Sequence, residues 1–257
     1  MKIRLKNHRL FSAGLSGGIL LFAQAVSADA TYDSSAAIDY TITSISNSNT
    51  ATPNDISSLS VSGSFQQLTD ANDFYAATTG DGSYTANNPN LSSEPVTTSF
   101  DNTYSVSGDT PLYGTVNTLH TGVYSLNFSN NSSRDTYTID VTLSYVLTAA
   151  AGGLFANSSI QLDYWDTLNN IADNQDYVGA GTYLGYTTDT ETEPGSYNLV
   201  LSLAPGTSDS FITQAAISSS LDSTANAAPV PLPLAGWSFL SGLLGILSIR
   251  KRKQRQI

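Results

Sequence analysis

The residues in this chain that could do chemistry are few in kind. Beyond the first thirty positions there is a single histidine, His120, and cysteine is absent throughout. The lack of cysteine excludes thiol nucleophiles, Cys-based zinc sites, iron–sulfur clusters and disulfides. His120 makes a Ser-His-Asp triad on paper with any of dozens of serines, but composition alone guarantees that, and no Gly-x-Ser-x-Gly nucleophile turn follows the first thirty residues. A structural histidine satisfied by its neighbours is therefore the expectation. Carboxylates are the other candidates. Asp70-Ala71-Asn72-Asp73 and Asp173-Asn174-Gln175-Asp176 read as acidic loops with oxygen ligands suited to Ca²⁺, though neither has the EF-hand spacing. Two carboxylates flanking a cleft can hydrolyse a glycoside, but nothing in the sequence marks one pair among so many acids. Asp163-Tyr164-Trp165-Asp166 offers rings that can stack on sugars; it equally suits the end of an ordinary strand with Trp165 in the core. The Asn-x-Ser/Thr matches at Asn90, Asn127, Asn131 and Asn157 arise by chance in a chain this rich in Asn, Ser and Thr. No catalytic residue, cofactor or metal ligand is assigned, and the expectation is a protein that is not an enzyme.

The charge is unevenly spread. Of 10 Lys and Arg, four (Lys2, Arg4, Lys6, Arg9) stand near the start and five (Arg250, Lys251, Arg252, Lys253, Arg255) near the end. Between Thr31 and Pro229 only Arg134 is basic against 20 acidic residues, a net charge of −19. A body this negative repels nucleic acid and anionic lipid and suits a solvated extracellular surface.

The elements that must position any site are strands. Ile38, Tyr40 and Ile42 alternate with polar residues, as do Leu59, Val61, Gly63 and Phe65. The longest run is Tyr137, Ile139, Val141, Leu143, Tyr145 and Leu147, preceded by Tyr124, Leu126 and Phe128. Ile160, Leu162 and Tyr164 follow, then Tyr197, Leu199, Leu201 and Leu203. Successive side chains of a strand point to opposite faces, so each run predicts a half-buried strand. Ser129 to Ser133 reads as a hairpin loop, and Ala204-Pro205-Gly206-Thr207, Asp81-Gly82, Ala151-Gly152-Gly153 and Gly179-Ala180-Gly181 read as turns. Residues from about Asn87 to Asn102 read as a loop. Short strands without intervening helices predict two antiparallel sheets packed face to face, an all-β sandwich.

Both ends carry address signals. A basic stretch ending at Arg9, an apolar stretch from Leu10 to Val26, and the small residues Ala28 and Ala30 predict a secretory signal peptide cut before Thr31. At the other end, Val230 to Ile249 are 20 uncharged residues followed at once by the basic cluster. As a helix rising ~1.5 Å per residue, that run reaches about 30 Å, enough to cross a bilayer core. Pro231 and Pro233 suit its first turn, and small residues at Ser238/Gly242 and Ser241/Gly245 leave one face open to close helix packing. Both basic clusters should stay in the cytoplasm, placing Thr31 to Pro229 outside.

Val230-Pro231-Leu232-Pro233, the apolar segment with Gly242 to Gly245, and Arg250-Lys251-Arg252-Lys253 together resemble a PEP-CTERM sorting signal of the VPLP type, with Leu232 where the commonest form has Glu. That resemblance implies a Gram-negative exosortase substrate, cut near the proline motif and delivered to the cell surface or an exopolysaccharide or biofilm matrix. The body, "FSNNSSRDTYTIDVTLSYVL" with "YNLVLSLAPGTSDSFITQAAI", resembles immunoglobulin-like sandwiches of bacterial surface proteins. Two other readings of the tail stay open: a sortase-like site at Leu232 to Gly236, and a plain uncleaved anchor.

The expected organisation is a signal peptide over 1–30, an antiparallel β-sandwich (immunoglobulin-like or jelly-roll-like) over 31–217, a linker over 218–229, and a sorting signal with a transmembrane helix over 230–257. The expected partners are signal peptidase, an exosortase-type enzyme, the inner membrane before processing, and exopolysaccharide. The alternatives are a membrane-anchored carbohydrate-binding or glycan-cleaving module, and a Ca²⁺-binding structural adhesin.

Overall fold

The computed structural model describes residues 29–49, 51–87, 94–95, 98–166, 174–183 and 187–224, all within the compact unit Ser27–Ala227. Ala28 and the whole segment from Val230 to Lys253 lie outside the described residues. The described residues form twelve strands and no α-helix. β1 (Ala30–Asn47), β4 (Ser83–Asn87), β6 (Ser99–Thr110), β8 (Tyr137–Gly153) and β11 (Thr187–Leu203) make a five-stranded antiparallel sheet in the order β11-β8-β1-β6-β4. β2 (Leu59–Gln67), β3 (Phe74–Gly80), β5 (Glu94–Pro95), β7 (Gly114–Asn130), β9 (Ala156–Asp166), β10 (Asn174–Thr182) and β12 (Ser208–Asp222) make the other, ordered β10-β9-β12-β7-β2-β5, with β3 also paired to β7.

The alternating patterns become strands because each presents one apolar face to a shared interior. Tyr137, Ile139, Val141, Leu143, Tyr145 and Leu147 of β8 are all buried, and so are Tyr124, Leu126 and Phe128 of β7 and Leu199, Leu201 and Leu203 of β11. Burying a side chain of this size contributes about 1.5–3 kcal/mol. In β1 the alternation runs to Ile42, where a register shift against β8 lets Ser44 pair with Asp140.

The interior is not wholly apolar. Tyr32 Oη of β1 lies 3.0 Å from Thr118 Oγ1 of β7. Ser34 Oγ lies 2.5 Å from Ser158 Oγ of β9, which in turn lies 2.6 Å from Ser219 Oγ of β12. Tyr40 and Thr213 bond hydroxyl to hydroxyl, and Tyr124 Oη donates to the Ala36 carbonyl at 3.3 Å. All of these bonds but Ser158–Ser219, which joins neighbouring strands of one sheet, span the two sheets.

Four expectations are corrected. Ser129–Ser133 is not a hairpin loop: β7 and β8 belong to different sheets. Both edges of β7 are occupied, by β12 along one side and by β2 and β3 end to end along the other. The chain therefore crosses to the opposite sheet, and Asn130, buried at the corner, holds the crossing. Its Nδ2 lies 2.8 Å from the Asp135 carbonyl and 3.0 Å from those of Leu203 and Ala204, while its Oδ1 accepts from Ser132 N at 2.9 Å. The Asn87–Asn102 stretch contains β5 and the start of β6, because a single buried aromatic, Phe100, anchors it. Gly63 makes room: a Cβ there would stand 2.4 Å from the Phe100 ring. Residues 218–222 are not linker but the last part of β12, paired to both β7 and β9. Their serines look like spacer composition, yet Ser219 and Leu221 face the interior. Gly179-Ala180-Gly181 is no turn either, lying inside β10.

The Ala204–Thr207 turn is as expected from its residues. Thr207 N donates to the Ala204 carbonyl at 3.2 Å, and Gly206 takes a φ of 69°, the left-handed value the third position of a type II turn requires. It too joins strands of different sheets, β11 and β12.

The inter-sheet hydroxyl bonds make a measurable claim. Tyr40→Phe strands the fully buried Thr213 hydroxyl and is expected to lower unfolding free energy by about 1–3 kcal/mol in chemical denaturation. Adding Thr213→Val to it should recover much of that loss, since both polar partners are then gone; an additive double mutant would show that the bond does not couple the sheets.

Candidate binding groove

An open groove of about 570 Å³ lies on the outer face of the seven-stranded sheet. Register alone builds it. Tyr75, Leu119, Ser218, Ser159 and Gly179 pair in succession across β3, β7, β12, β9 and β10. Ala77, Asn117, Ser220, Asn157 and Gly181 form the next outward row on the same strands. Neighbouring strands lie ~4.8 Å apart, so five of them make a trough roughly 19 Å across. Small residues in the middle and large ones at the ends give the depression its depth. Its flanks are Tyr75 at 52% exposure and Tyr177 and Tyr183 at 64% and 70%.

Two glycines matter through close approach. A Cβ on Gly179 would meet Tyr177 Oη at 2.7 Å, so the glycine lets the Tyr177 ring fold over the floor. A Cβ on Gly181 would meet Asn157 Oδ1 at 2.5 Å, so this glycine frees the amide to reach across β10. The layer directly beneath is the inter-sheet hydroxyl set: Thr118, Ser158 and Ser219 line the groove from below and are tied to Tyr32 and Ser34 of the opposite sheet. None of the lining residues is charged.

His120 sits elsewhere, where β2 gives way to β3 along β7. It is buried, with Nδ1 3.1 Å from Gln67 Nε2 and its ring against Phe74 at 5.0 Å and Tyr84 at 5.4 Å. An amide donor at Nδ1 places the imidazole proton on Nε2, which has no hydrogen-bond partner among the described residues. The expected satisfaction of His120 by its neighbours holds for one ring nitrogen and not for the other, and among the described residues no Ser or Asp is hydrogen-bonded to the ring.

Burial pushes the His120 pKa below its ordinary value of 6.5. The unfolded chain therefore takes up this proton first as the pH falls, so the stabilisation is complete above about 6.5 and is lost as the pH drops through the depressed folded value. Thermal midpoints between pH 7.5 and 5.5 are expected to fall in the wild type and to fall less in His120→Gln. Parallel curves would remove the histidine from the pH response.

The acidic candidates separate. Asp70 caps a tight turn, its carbonyl accepting from Asp73 N at 2.9 Å and Phe74 N at 2.8 Å. Asp173 lies outside the described residues, whereas Asp176 is on β10 rather than in a loop, opposite Leu162. Among the described residues no group of three His, Asp or Glu side chains is close enough to hold a metal ion. Asp163 to Asp166 end β9; Tyr164 stacks between Tyr145 and Tyr197 at 6.2 and 5.4 Å, and Trp165 is only partly buried rather than in the core. Asn127 and Asn157 are both strand residues, and Asn157 belongs to the groove.

A second depression, about 230 Å³, lies on the outer face of the five-stranded sheet and contains Asp39 and Asp101, directly opposite each other on β1 and β6. Like charges in that position repel. Asp101→Asn is expected to raise stability by about 0.2–1 kcal/mol at low salt, with a smaller gain at high salt where the repulsion is already screened. A loss of stability would mean the pair is held by something other than water.

Of the signal-cleavage residues, Ala30 is buried at the head of β1, paired with Thr110 and Gly153, and Thr31 is exposed beside it. The groove was not legible beforehand, because its residues come from five strands scattered between positions 75 and 220 and carry no local motif. No protein-family model matches the chain, and no curated protein is significantly similar to it in sequence.

Proposed function

We propose that this chain is an exported, non-enzymatic protein of a bacterial cell surface or extracellular matrix. Signal peptidase cuts it before Thr31, and an exosortase-type enzyme sorts it through a PEP-CTERM-like tail. One observation carries the reading: among the described residues the paired strands run from Ala30 to Asp222, a span that falls between the two address segments read from the sequence. Of the described strand residues, removal of both segments takes only Ala30, the first residue of an 18-residue strand. In this reading the precursor is held in the inner membrane by Leu234 to Ile249, with Arg250, Lys251, Arg252 and Lys253 on the cytoplasmic side. Val230 to Pro233 mark the cut. The repeated changes of sheet at β7–β8, β8–β9, β10–β11 and β11–β12 favour a jelly-roll-like over an immunoglobulin-like sandwich.

The test is the intact mass of protein recovered separately from membranes and medium. The expected product starts at Thr31, ends near Val230 to Pro233 and is found outside the membrane fraction. Replacing Pro231 and Pro233 by alanine should hold the chain in membranes at its full C-terminal length. A wild-type chain that still ends at Ile257 and occurs only in membranes overturns the sorting reading and leaves an ordinary anchor.

A further inference from the structure

We propose that the groove on the outer face of the seven-stranded sheet binds an uncharged polysaccharide chain. The inference goes beyond the surface-protein reading above and stands whether or not the tail is cleaved.

The argument begins with what a sheet's outer face should look like. In water, an outward row is ordinarily polar and of even height. Here the middle strands β12 and β9 carry Ser218 and Ser159, while tyrosines on β3 and at β10 on the two sides stay more than half exposed. Large aromatic side chains left in solvent on both sides of one hollow are informative, whereas a single one is not. A tyrosine ring offers a flat apolar face with a polar tip, which suits a ligand that is itself apolar on its faces and hydroxylated on its edges. A pyranose ring has that character. Between the rings, Ser159, Ser218 and Asn157 supply hydroxyl and amide groups that both donate and accept, matching sugar hydroxyls, which do the same.

Charge selects among glycans. The body carries 20 acidic residues and one basic one, yet the groove lining contains neither kind. An anionic polysaccharide would meet no counter-charge in the groove and repulsion around it. A neutral chain meets no penalty. The trough is about 19 Å across and open at the surface, so it accommodates several sugar units of a continuing chain rather than enclosing one.

The floor is also held in place before any ligand arrives. Thr118 and Ser158 beneath it are hydrogen-bonded to Tyr32 and Ser34 of the facing sheet, Ser219 is bonded to Ser158, and Gly179 leaves the room that the Tyr177 ring occupies. A site preorganised in this way loses little entropy on binding.

Affinity gel electrophoresis of the purified protein, in gels containing soluble glucan, mannan, galactan or xylan and in a parallel gel with anionic alginate, tests the proposal. At least one neutral polysaccharide is expected to retard the wild type, and alginate is not. Tyr177→Ala and Tyr75→Ala should each weaken that retardation about tenfold in apparent Kd. Ser218→Trp, which fills the floor from its solvent side, should abolish it. All three positions face outward, so thermal midpoints should stay at the wild-type value and separate lost binding from lost folding. Failure of every neutral polysaccharide to retard the protein, retardation by alginate to the same degree, or full retardation of the three folded variants would each overturn the proposal.

Discussion

The hydroxyl bonds that leave β1 and cross the interior are the constraint on which the rest of the molecule depends. A sandwich held by apolar burial alone fixes how far apart its sheets lie but only loosely how one is placed along the other. Tyr32, Ser34 and Tyr40 are buried polar groups, and each has its partner on the opposite sheet at Thr118, Ser158 and Thr213. Sliding the sheets past one another would strand these hydroxyls away from water, which is far more expensive than the bonds themselves are stabilising. β1 can exert this control because it lies in the centre of its sheet, with β8 on one side and β6 on the other.

The same bonds have a consequence on the outside. Where Ser34, Ser158 and Ser219 meet, the two sheets approach through small side chains rather than through the tyrosines and leucines that fill the rest of the core. Directly above this point the outward row is also small, and the surface dips. The groove therefore lies over a polar patch of the sandwich, where Thr118 and Ser158 of its floor are bonded to the facing sheet.

The edges of the sheets carry residues that disfavour pairing with another chain. β11 has its free edge beyond β8 and carries Asp189, Glu191, Glu193 and Pro194 along its first half, charges and a missing N–H that discourage pairing with another chain. β10 closes against it at one point, where Gly181 N donates to Asp189 at 2.8 Å. The corners need their own solution, and Asn130 provides it by satisfying carbonyls from both the β7–β8 and the β11–β12 crossings. A composition this acidic, spread over the outer faces, keeps like molecules apart.

What the sequence by itself determined is local. The alternation of Tyr137 to Leu147 marks a strand with one apolar face, because the period of two is a property of the extended backbone. Pro205 and Gly206 make their turn for the same reason, through the dihedral angles each one favours. The proposed address segments are likewise read from composition and order alone. Tertiary structure decided everything that depends on which strand lies beside which. Ser218 to Asp222 read as spacer until β7 and β9 flank them. Ser129 to Ser133 read as a hairpin until the neighbours of β7 fill both its edges. His120 gains its meaning from Gln67, Phe74 and Tyr84, none of them near it in the chain. The groove depends most heavily on pairing, since Tyr75, Ser159, Gly179 and Ser218 become neighbours only through the register of four strand pairs. Backbone periodicity is written residue by residue, whereas register is settled by competition among distant faces for one interior.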